Sequence, residues 1–332
     1  MKKLFSEILK QLIDKNDVVL CVIRESSGST PRKAGAMMAC FSDSTTVGTV
    51  GGGLVEYECT LHAKDVMKEK RDSVKEYSLD NRDAGALGMV CGGRSQIYFH
   101  YIKSDENNIA VFERICGFID NKNRAWMVAV SDDNESEFSV YSEEFAYENI
   151  KEPQENSCDF NSAFSISENK KCYAVPLFSS RVYVFGGGHV SQALCPVLLS
   201  CGFDVTVYED SEKFADKSLF PSGTEIVNSS FLKIDESVDI KNDDYVVVLT
   251  RGHKSDNDVL RQMLSKHPFY LGVIGSKKKV KFMRDFLLDC GFEKEQVEKI
   301  YSPIGLEIGA QTPSEIAVSI TAQLIAKRAG VI

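Results

Sequence analysis

The spacing of hydrophobic residues changes near residue 179 and divides the chain into two patterns. Beyond that point, short apolar runs alternate with segments of helical spacing. This alternation is typical of a parallel sheet with helices on both faces. We therefore predict a Rossmann-like, doubly wound parallel sheet in a C-terminal domain over residues 179–332. The predicted strands are 182–185, 204–208, 225–228, 245–249 and 270–274, with a short sixth near 300–302, and the predicted helices are 190–200, about 256–266, 277–290 and 314–328.

The first 178 residues mix helical and alternating patterns less regularly and predict an N-terminal α+β domain. Apolar positions in 3–15 recur at helical spacing, and 17–23 is an apolar run short enough for a buried strand. The acidic, Ser- and Asn-rich stretch 131–170 predicts surface strands and loops. The overall fold class is therefore α/β. The remaining predictions are a hairpin of 35–41 with 45–50, helices at about 54–70 and 108–119, and strands at 73–79, 96–102, 125–130 and 171–177.

Composition narrows the class of protein. The 332 residues carry 39 Lys and Arg against 48 Asp and Glu, a net charge of −9. An acidic protein repels phosphate backbones, so we expect no nucleic-acid partner. No apolar run reaches the roughly 18 residues that cross a membrane, and the first residues become charged too early for a secretory signal. The ten cysteines are scattered without a Cys-x-x-Cys pair. We therefore expect a cytoplasmic protein with free thiols.

A glycine-rich turn follows the first strand of the C-terminal domain. Its sequence, Gly186-Gly187-Gly188-His189-Val190-Ser191, leads into the predicted helix 190–200. Glycines let the backbone approach a ligand, and the first N–H groups of a helix face an anion. The next strand ends at Glu209-Asp210, where dinucleotide-binding domains place an acidic residue that binds ribose hydroxyls. The spacing Gly-x-Gly-x-x-Ser departs by one residue from the dinucleotide fingerprint, so alone it is a weak signal.

Two further loops are expected at the same edge of the sheet. One is Thr250-Arg251-Gly252-His253, and the other is Gly275-Ser276-Lys277, followed by two more lysines. Cations gathered at one edge of an acidic protein favour an anionic ligand. NAD, FAD, another nucleotide and a phosphorylated pterin all stay open, as does the alternative that these cations are solvated or cap helices. His189 and His253 are either structural or phosphate contacts. No cluster has the spacing of a zinc site, so no metal site is predicted.

Three glycine-containing loops of the N-terminal domain also lie beside predicted strands. They are Gly28-Ser29-Thr30 with Arg32, Gly51-Gly52-Gly53 with Glu56, and Cys91-Gly92-Gly93. The hydroxyls, amides and guanidinium of the first loop suit an anion. Glu56 lies in the first turn of the following helix, where a carboxylate suits the helix dipole.

Cys91 is the thiol that stands out, because it lies in a glycine loop whose backbone amides can stabilise a thiolate. The alternative is a small buried hydrophobe, as for most free cysteines. That explanation suffices for four other cysteines in predicted strands or helices, which are Cys21, Cys40, Cys195 and Cys201.

Longer motifs extend through both predicted domains, from about residue 20 to the C-terminus with a gap near 104–170. They are Gly28-Ser29-Thr30-Pro31-Arg32 with Gly35-Ala36-Met37, Gly48-Thr49-Val50-Gly51-Gly52-Gly53 with Glu56, Cys91-Gly92-Gly93, Val184-Phe185-Gly186-Gly187-Gly188-His189-Val190, Thr250-Arg251-Gly252-His253 with Asp256, Ile274-Gly275-Ser276, Ser302-Pro303-Ile304-Gly305-Leu306-Glu307-Ile308-Gly309-Ala310, Thr312-Pro313 and Glu315-Ile316-Ala317. Together they resemble the xanthine dehydrogenase accessory proteins, the XdhC/CoxI family.

Two positions depart from the family pattern. Glu209-Asp210-Ser211 stands where many relatives have Asp-Asp-Arg, which leaves the nucleotide preference open, and Gln323 replaces a frequent Glu, which concerns helix contacts.

The resemblance implies a cytoplasmic maturation factor for molybdenum hydroxylases. Such proteins are thought to bind the molybdenum cofactor (molybdopterin), protect it while a cysteine desulfurase supplies the terminal sulfur, and pass it to the apo molybdenum hydroxylase. The family pairs an N-terminal domain with a C-terminal Rossmann domain, usually in a dimer, so we expect a homodimer. The glycine loops and cations would hold the cofactor, with Cys91 as a catalytic thiol or a soft ligand near the metal.

The C-terminal loops also support a second hypothesis. Gly186 to Ser191 with Glu209 would suit an oxidoreductase that binds NAD(P) in its Rossmann domain. No proton donor pairs with a substrate pocket in the sequence, and no Ser-His-Asp set or Walker loop stands out. We therefore expect a cofactor-binding chaperone rather than a catalyst. A third hypothesis combines the two, with a nucleotide as a structural or regulatory ligand.

Overall fold

The chain forms two compact units, Met1–Phe178 and Ser179–Ile332, each with its own hydrophobic cores. The computed structural model describes residues 1–78, 93–132, 135–142, 164–167, 172–275 and 277–332, apart from the side chains of Asp132, His253, Lys277 and Lys278. Along these ranges, no helix is both long enough and apolar enough to span a membrane.

The N-terminal unit is built from two antiparallel sheets and three helices within the described ranges. Its elements are α1 (Lys2–Ile13), β1 (Val18–Ser27), β2 (Met37–Cys40), β3 (Thr46–Gly48), α2 (Gly53–Glu69), β4 (Ser73–Ser78), β5 (Arg94–Ile102), α3 (Glu106–Asp120), β6 (Trp126–Asp132), β7 (Glu135–Tyr141), β8 (Ser165–Ile166) and β9 (Cys172–Pro176). One sheet has the strand order β3-β2-β1-β5-β4, and the other has the order β7-β6-β9-β8.

Strand β1 is buried on both faces, which explains its continuous apolar run. Val18, Leu20 and Val22 face a core that they share with α1, α3 and the second sheet. Cys21 and its neighbours on the opposite face pack against α2. Because side chains alternate along a strand, a single apolar run serves both cores.

A buried hydrogen-bond network joins the two sheets of this unit. His100 of β5 is fully buried, and its Nδ1 lies 2.8 Å from Ser136 Oγ in β7 and 3.1 Å from Asp72 Oδ2, just before β4. Its Nε2 lies 2.8 Å from the hydroxyl of Tyr173 in β9. Ser136 also donates to Asp72, whose other oxygen accepts from the Tyr101 amide. Each polar side chain of this His100 network has a partner, as burial requires.

The C-terminal unit is a parallel five-stranded sheet with helices on both faces. Its elements are β10 (Arg181–Phe185), α4 (His189–Ser200), β11 (Asp204–Glu209), β12 (Glu225–Asn228), β13 (Tyr245–Val248), α5 (His253–Lys266), β14 (Tyr270–Val273), α6 (Lys277–Asp289), α7 (Lys294–Glu298) and α8 (Pro313–Arg328). The strand order is β12-β11-β10-β13-β14. Helices α4 and α8 cover one face, and α5 and α6 cover the other. The predicted Rossmann-like, doubly wound sheet is confirmed.

Three features differ from the sequence prediction. The sixth strand near 300–302 is a single parallel bridge between Gly272 and Tyr301, because Pro303 has no N–H with which to extend a ladder. The five-residue helix α7 is too short for periodicity to indicate it. Strand β7 buries Phe138 and Val140 in the core, so this part of 131–170 is not confined to the surface.

Candidate functional site

The carboxyl ends of the parallel strands bring the predicted C-terminal loops to one edge of the sheet. Strand β10 lies between β11 and β13, and β14 pairs with β13. The glycine turn, Glu209-Asp210, Thr250-Arg251-Gly252 and Gly275 therefore follow neighbouring strands in register. This edge is where doubly wound sheets bind ligands.

The three glycines of the turn meet different surroundings. Gly186 has φ +109°, and a β-carbon there would lie 2.5 Å from the carbonyl oxygen of Leu249. A β-carbon on Gly187 would collide with the carbonyl oxygen of Phe214. Gly188 has φ −71°, and a β-carbon there would meet nothing within 4 Å. The first two glycines therefore serve backbone packing, whereas Gly188 borders open space.

The open space lies at the N-terminus of α4. Gly188 is its N-cap and provides no side-chain hydrogen bond, so the first N–H groups of the helix have no cap from that residue. His189 is exposed at the first helical position. Ser191 stands where the fingerprint places a glycine for close helix–strand packing. It is fully buried, and its hydroxyl has no hydrogen-bond partner among the residues that the structure describes. A small anion fits against the first amides, with His189 beside it.

The Glu209 carboxylate already accepts hydrogen bonds from groups of the protein itself. The side chain is 1% exposed and accepts hydrogen bonds from the Gly187 amide at 2.6 Å and the Ser211 amide at 3.0 Å. Arg251 Nη2 donates to the same carboxylate at 2.9 Å. The ribose contact predicted from the sequence would therefore require Arg251 to move away.

Arg251 contacts Phe214 and Asp210 as well as Glu209 at this edge of the sheet. Its guanidinium stacks over the Phe214 ring at 4.2 Å and lies 3.6 Å from Asp210 Oδ1. Burial and the adjacent Glu209 carboxylate raise the pKa of Asp210 above its usual range, against the opposing effect of Arg251. Sequence reasoning missed Phe214, because nothing in the sequence marks a residue whose carbonyl and ring both pack at the turn.

At the second half of the edge, a cavity is lined by an ion pair. Thr250 Oγ1 donates to Asp256 Oδ1 at 2.5 Å, and Lys279 forms an ion pair with the other oxygen of Asp256. Asp256 is 1% exposed, so this lysine neutralises a buried carboxylate. The cavity has a volume of about 350 Å³, and its wall includes Gly275 and the apolar side chains of Phe282 and Met283. Lys279 is therefore engaged within the protein.

Several predicted site residues lie partly or wholly outside the described part of the chain. Cys91, Gly92 and Ser276 lie outside the described residues. His253 and Lys277 begin α5 and α6, but their side chains also lie outside the described part.

The described loops of the N-terminal unit converge on residues 27–33. A β-carbon on Gly93 would lie 2.6 Å from the Ser29 carbonyl oxygen and 2.7 Å from Thr30 Cγ2. A β-carbon on Gly51 would lie 3.6 Å from Pro31 Cβ. Gly28 adopts a positive φ, and Arg32 is exposed. The structure thus brings together loops that are far apart in the sequence.

Glu56 binds its own loop. Its Oε1 accepts from the amides of Val50 at 3.1 Å and Gly52 at 2.8 Å, and also from the Thr49 hydroxyl. Gly51, Gly52 and Gly53 all have positive φ, so the backbone can curl around this carboxylate. Glu56 therefore takes amides that an anionic ligand would otherwise contact.

The cysteines predicted to be structural are largely buried. Cys21, Cys40 and Cys195 are buried as predicted, whereas Cys201 is partly exposed at the end of α4. The sulfurs of Cys21 and Cys40 lie 3.8 Å apart in a thiol–thiol hydrogen bond, and both cysteines are free. Burial raises the pKa of the Cys195 thiol to about 12.

Thiol labelling in native buffer is expected to modify Cys290, which is exposed, and to spare Cys59 and Cys195. Burial raises the pKa of Cys59 to about 12, which leaves roughly a thousandfold less thiolate than an ordinary cysteine has. Peptide mass spectrometry after iodoacetamide treatment, with and without denaturant, measures the pattern. Native labelling of Cys59 at the rate of Cys290 would contradict it.

Two family models match the chain. One, described as the XdhC Rossmann domain, matches residues 182–324, and the other, described as the XdhC and CoxI family, matches residues 13–78. Together they cover more than half of the chain. The chain belongs to the XdhC and CoxI family. The resemblance inferred from the motifs is therefore confirmed.

Relatives in this family extend over nearly the whole chain. A Bacillus subtilis protein named as a probable subunit of xanthine dehydrogenase is 24% identical over 98% of this chain and 97% of its own length. "Molybdenum cofactor insertion chaperone PaoD" from Escherichia coli is 22% identical over 96% of this chain and 86% of its own length. "Uncharacterized protein YqeB" from Escherichia coli is 23% identical over 97% of this chain, which spans only 46% of that protein.

A solved structure supports the fold. A crystal structure of a protein named as a xanthine dehydrogenase from Bacillus halodurans has a TM-score of 0.75 and 26% sequence identity. The match covers 98% of this chain and 96% of that one. Both units of the XdhC and CoxI chain therefore have counterparts in a solved structure.

Proposed function

We propose that this chain is an accessory protein for a molybdenum hydroxylase that binds the molybdenum cofactor and supports its sulfuration and insertion. The observation that carries the proposal is the similarity, over 96% of the chain, to a protein named as a molybdenum cofactor insertion chaperone. Because the similarity includes both units, the proposed role involves both.

The C-terminal edge fits one part of such a cofactor. Molybdopterin carries a phosphate, and the amides at the start of α4 lie beside open space at Gly188. His189 is exposed next to these amides and can contact the same anion. Gly252 offers a second open helix start, at α5. When bound, the cofactor supplies the metal and dithiolene chemistry, and the residues of this chain hold its anionic end.

Two partner proteins belong to the proposed role. An apo molybdenum hydroxylase would receive the cofactor, and a cysteine desulfurase would supply sulfur while the cofactor is held. We propose a homodimer working in the cytoplasm. Cys91 is the proposed thiol near the metal or the transferred sulfur, because thiolates are soft ligands.

Cofactor retention tests the proposal. The protein is produced in cells that make molybdopterin, purified and oxidised, and the fluorescent pterin product is measured per chain. We expect about one per chain in wild type and a lower value or lower sulfuration in Cys91→Ala, with Cys290→Ala as the exposed-thiol control. Wild-type protein without pterin would overturn the proposal.

An NAD(P)-binding oxidoreductase is the second candidate function, favoured by the parallel sheet and its glycine turn. The engaged Glu209 carboxylate argues against it, since Glu209 is not presented to a ribose unless Arg251 leaves. Titration with NADPH while monitoring the melting temperature separates the two candidates. A bound nucleotide raises the melting temperature, so no shift at millimolar NADPH would remove this candidate.

A further inference from the structure

A cavity in the N-terminal unit lies beside the loop 27–33, and its wall includes Ser27 and Lys33 of that loop but none of the described motif residues. It has a volume of about 660 Å³, within the usual range of small-molecule sites. Its walls come from the end of β1, the start of β5, Glu76 of β4, Lys33 and the short segment around Phe164. These segments bring polar and aromatic side chains to one concave surface.

A β-bulge places Arg24 in this wall. Ile23 pairs with Ile97, and Glu25 pairs with the very next residue, Gln96, so Arg24 is an extra residue in β1. Bulges interrupt the alternation of a strand and redirect a side chain, often beside functional sites. The Arg24 guanidinium is held over the Tyr98 ring at 4.9 Å, and its Nη1 donates to the Tyr98 hydroxyl at 3.0 Å. The side chain is therefore fixed before any ligand arrives.

Two residues that line the cavity each have a buried polar atom without a hydrogen-bond partner in the described ranges. These atoms are Nε of Arg24, which is a donor, and Oε1 of Gln96, which is an acceptor. Proteins rarely leave such atoms unpaired, because burial removes their hydration. A ligand that offers these residues a carbonyl group and an N–H would give both atoms a partner.

The cavity is also cationic in an acidic protein. Among the described residues that line it, Arg24, Lys33 and Arg94 are cationic, against Glu25 and Glu76. Arg94 lies 3.6 Å from Glu76 in an exposed pair, which is weakly held. A net positive wall attracts an anionic substituent.

We propose that this cavity binds the pterin ring system, with Arg24 Nε donating to a ring carbonyl or ring nitrogen and Gln96 Oε1 accepting from a ring N–H. Lys33 and Arg94 take an anionic group carried by the ring. The inference rests on the proposed function, because it identifies the part of the cofactor that the N-terminal unit recognises. Phe164 supplies an apolar surface for the flat ring.

Gln96→Met is the most discriminating variant. It removes an acceptor that has no partner in the described part of the chain, so the melting temperature should stay the same or rise while ligand affinity falls. Arg24→Met removes the donor and the charge, although it also loses the Tyr98 contact. Arg71→Met is the control, since Arg71 is an exposed arginine of the same unit that pairs with Glu69 and does not line the cavity.

The probe is pterin-6-carboxylate, a fluorescent, planar and anionic pterin, titrated into the full chain. We expect binding by wild type and Arg71→Met, and affinity weaker by about tenfold or more in Gln96→Met and Arg24→Met. Absent binding in wild type, or equal affinity in all four proteins, would overturn this inference. Cofactor retention by wild type is measured separately, so its absence would overturn the proposed function independently of the titration.

Discussion

Gly186→Ala is expected to lower the free energy of unfolding of the C-terminal unit by at least about 2 kcal/mol, the cost of a strained backbone conformation together with a steric overlap. Its φ of +109° is disfavoured for alanine, and the new β-carbon would lie 2.5 Å from the Leu249 carbonyl oxygen. Gly187→Ala should be similarly damaging, because its β-carbon collides with the Phe214 backbone. Urea unfolding followed by circular dichroism measures the loss, and fluorescence of Trp126, the single tryptophan, reports separately on the N-terminal unit.

Gly188→Ala is the matched comparison within the same turn. Its φ of −71° suits alanine and its β-carbon enters open space, so the stability loss should stay below about 1 kcal/mol. The added methyl occupies the space above the first amides of α4, so cofactor retention should fall by about tenfold. Gly252→Ala makes the same change at the start of α5, where a β-carbon also meets nothing within 4 Å. A Gly188→Ala protein as unstable as Gly186→Ala, or one with undiminished retention, would contradict the assigned roles.

Glu209→Ala is expected to lower the free energy of unfolding by about 2–4 kcal/mol. The change leaves the amides of Gly187 and Ser211 without their acceptor and removes the partner of Arg251. Glu209→Gln should lose less, since one acceptor oxygen remains. The measurement is again urea unfolding followed by circular dichroism.

Glu212→Ala is the control for this series, because Glu212 is an exposed carboxylate three residues further along. A double-mutant cycle with Arg251→Ala isolates the ion pair. Arg251 is 49% exposed, so solvent screening should limit the coupling energy to about 1 kcal/mol. Equal stability of Glu209→Ala and Glu212→Ala would show that the buried Glu209 carboxylate does not stabilise the glycine turn.

Much of the fold could be predicted from the sequence, because buried elements have characteristic patterns of apolar residues. Residues 182–185 and 245–248 lie in strands buried on both faces, and such strands are continuous apolar runs. The polar end of a strand has no such apolar run. The apolar run predicted a first strand that stops at residue 23, yet β1 continues to Ser27, because its polar residues pair with β5.

The sequence predicted where the candidate site lies, but not which hydrogen bonds and ion pairs its residues form. The glycine turn and Glu209 lie at the predicted edge, since parallel strands align their carboxyl ends. The partner that occupies Glu209 is Arg251, 42 residues away, and no spacing rule indicates that contact. The bulge at Arg24 is likewise a property of how two strands pair, so one strand's sequence does not reveal it.

The His100 network makes the two sheets of the N-terminal unit thermodynamically interdependent. If the β7-β6-β9-β8 sheet melted alone, His100 would lose Ser136 and Tyr173. If the other sheet melted alone, Tyr173 would lose His100, so either event leaves polar atoms of the remaining sheet unpaired. Partly melted forms are therefore penalised relative to both the native and the fully unfolded chain. Slowly exchanging amides of β5 and β9 should thus become exposed to deuterium together, in one cooperative opening.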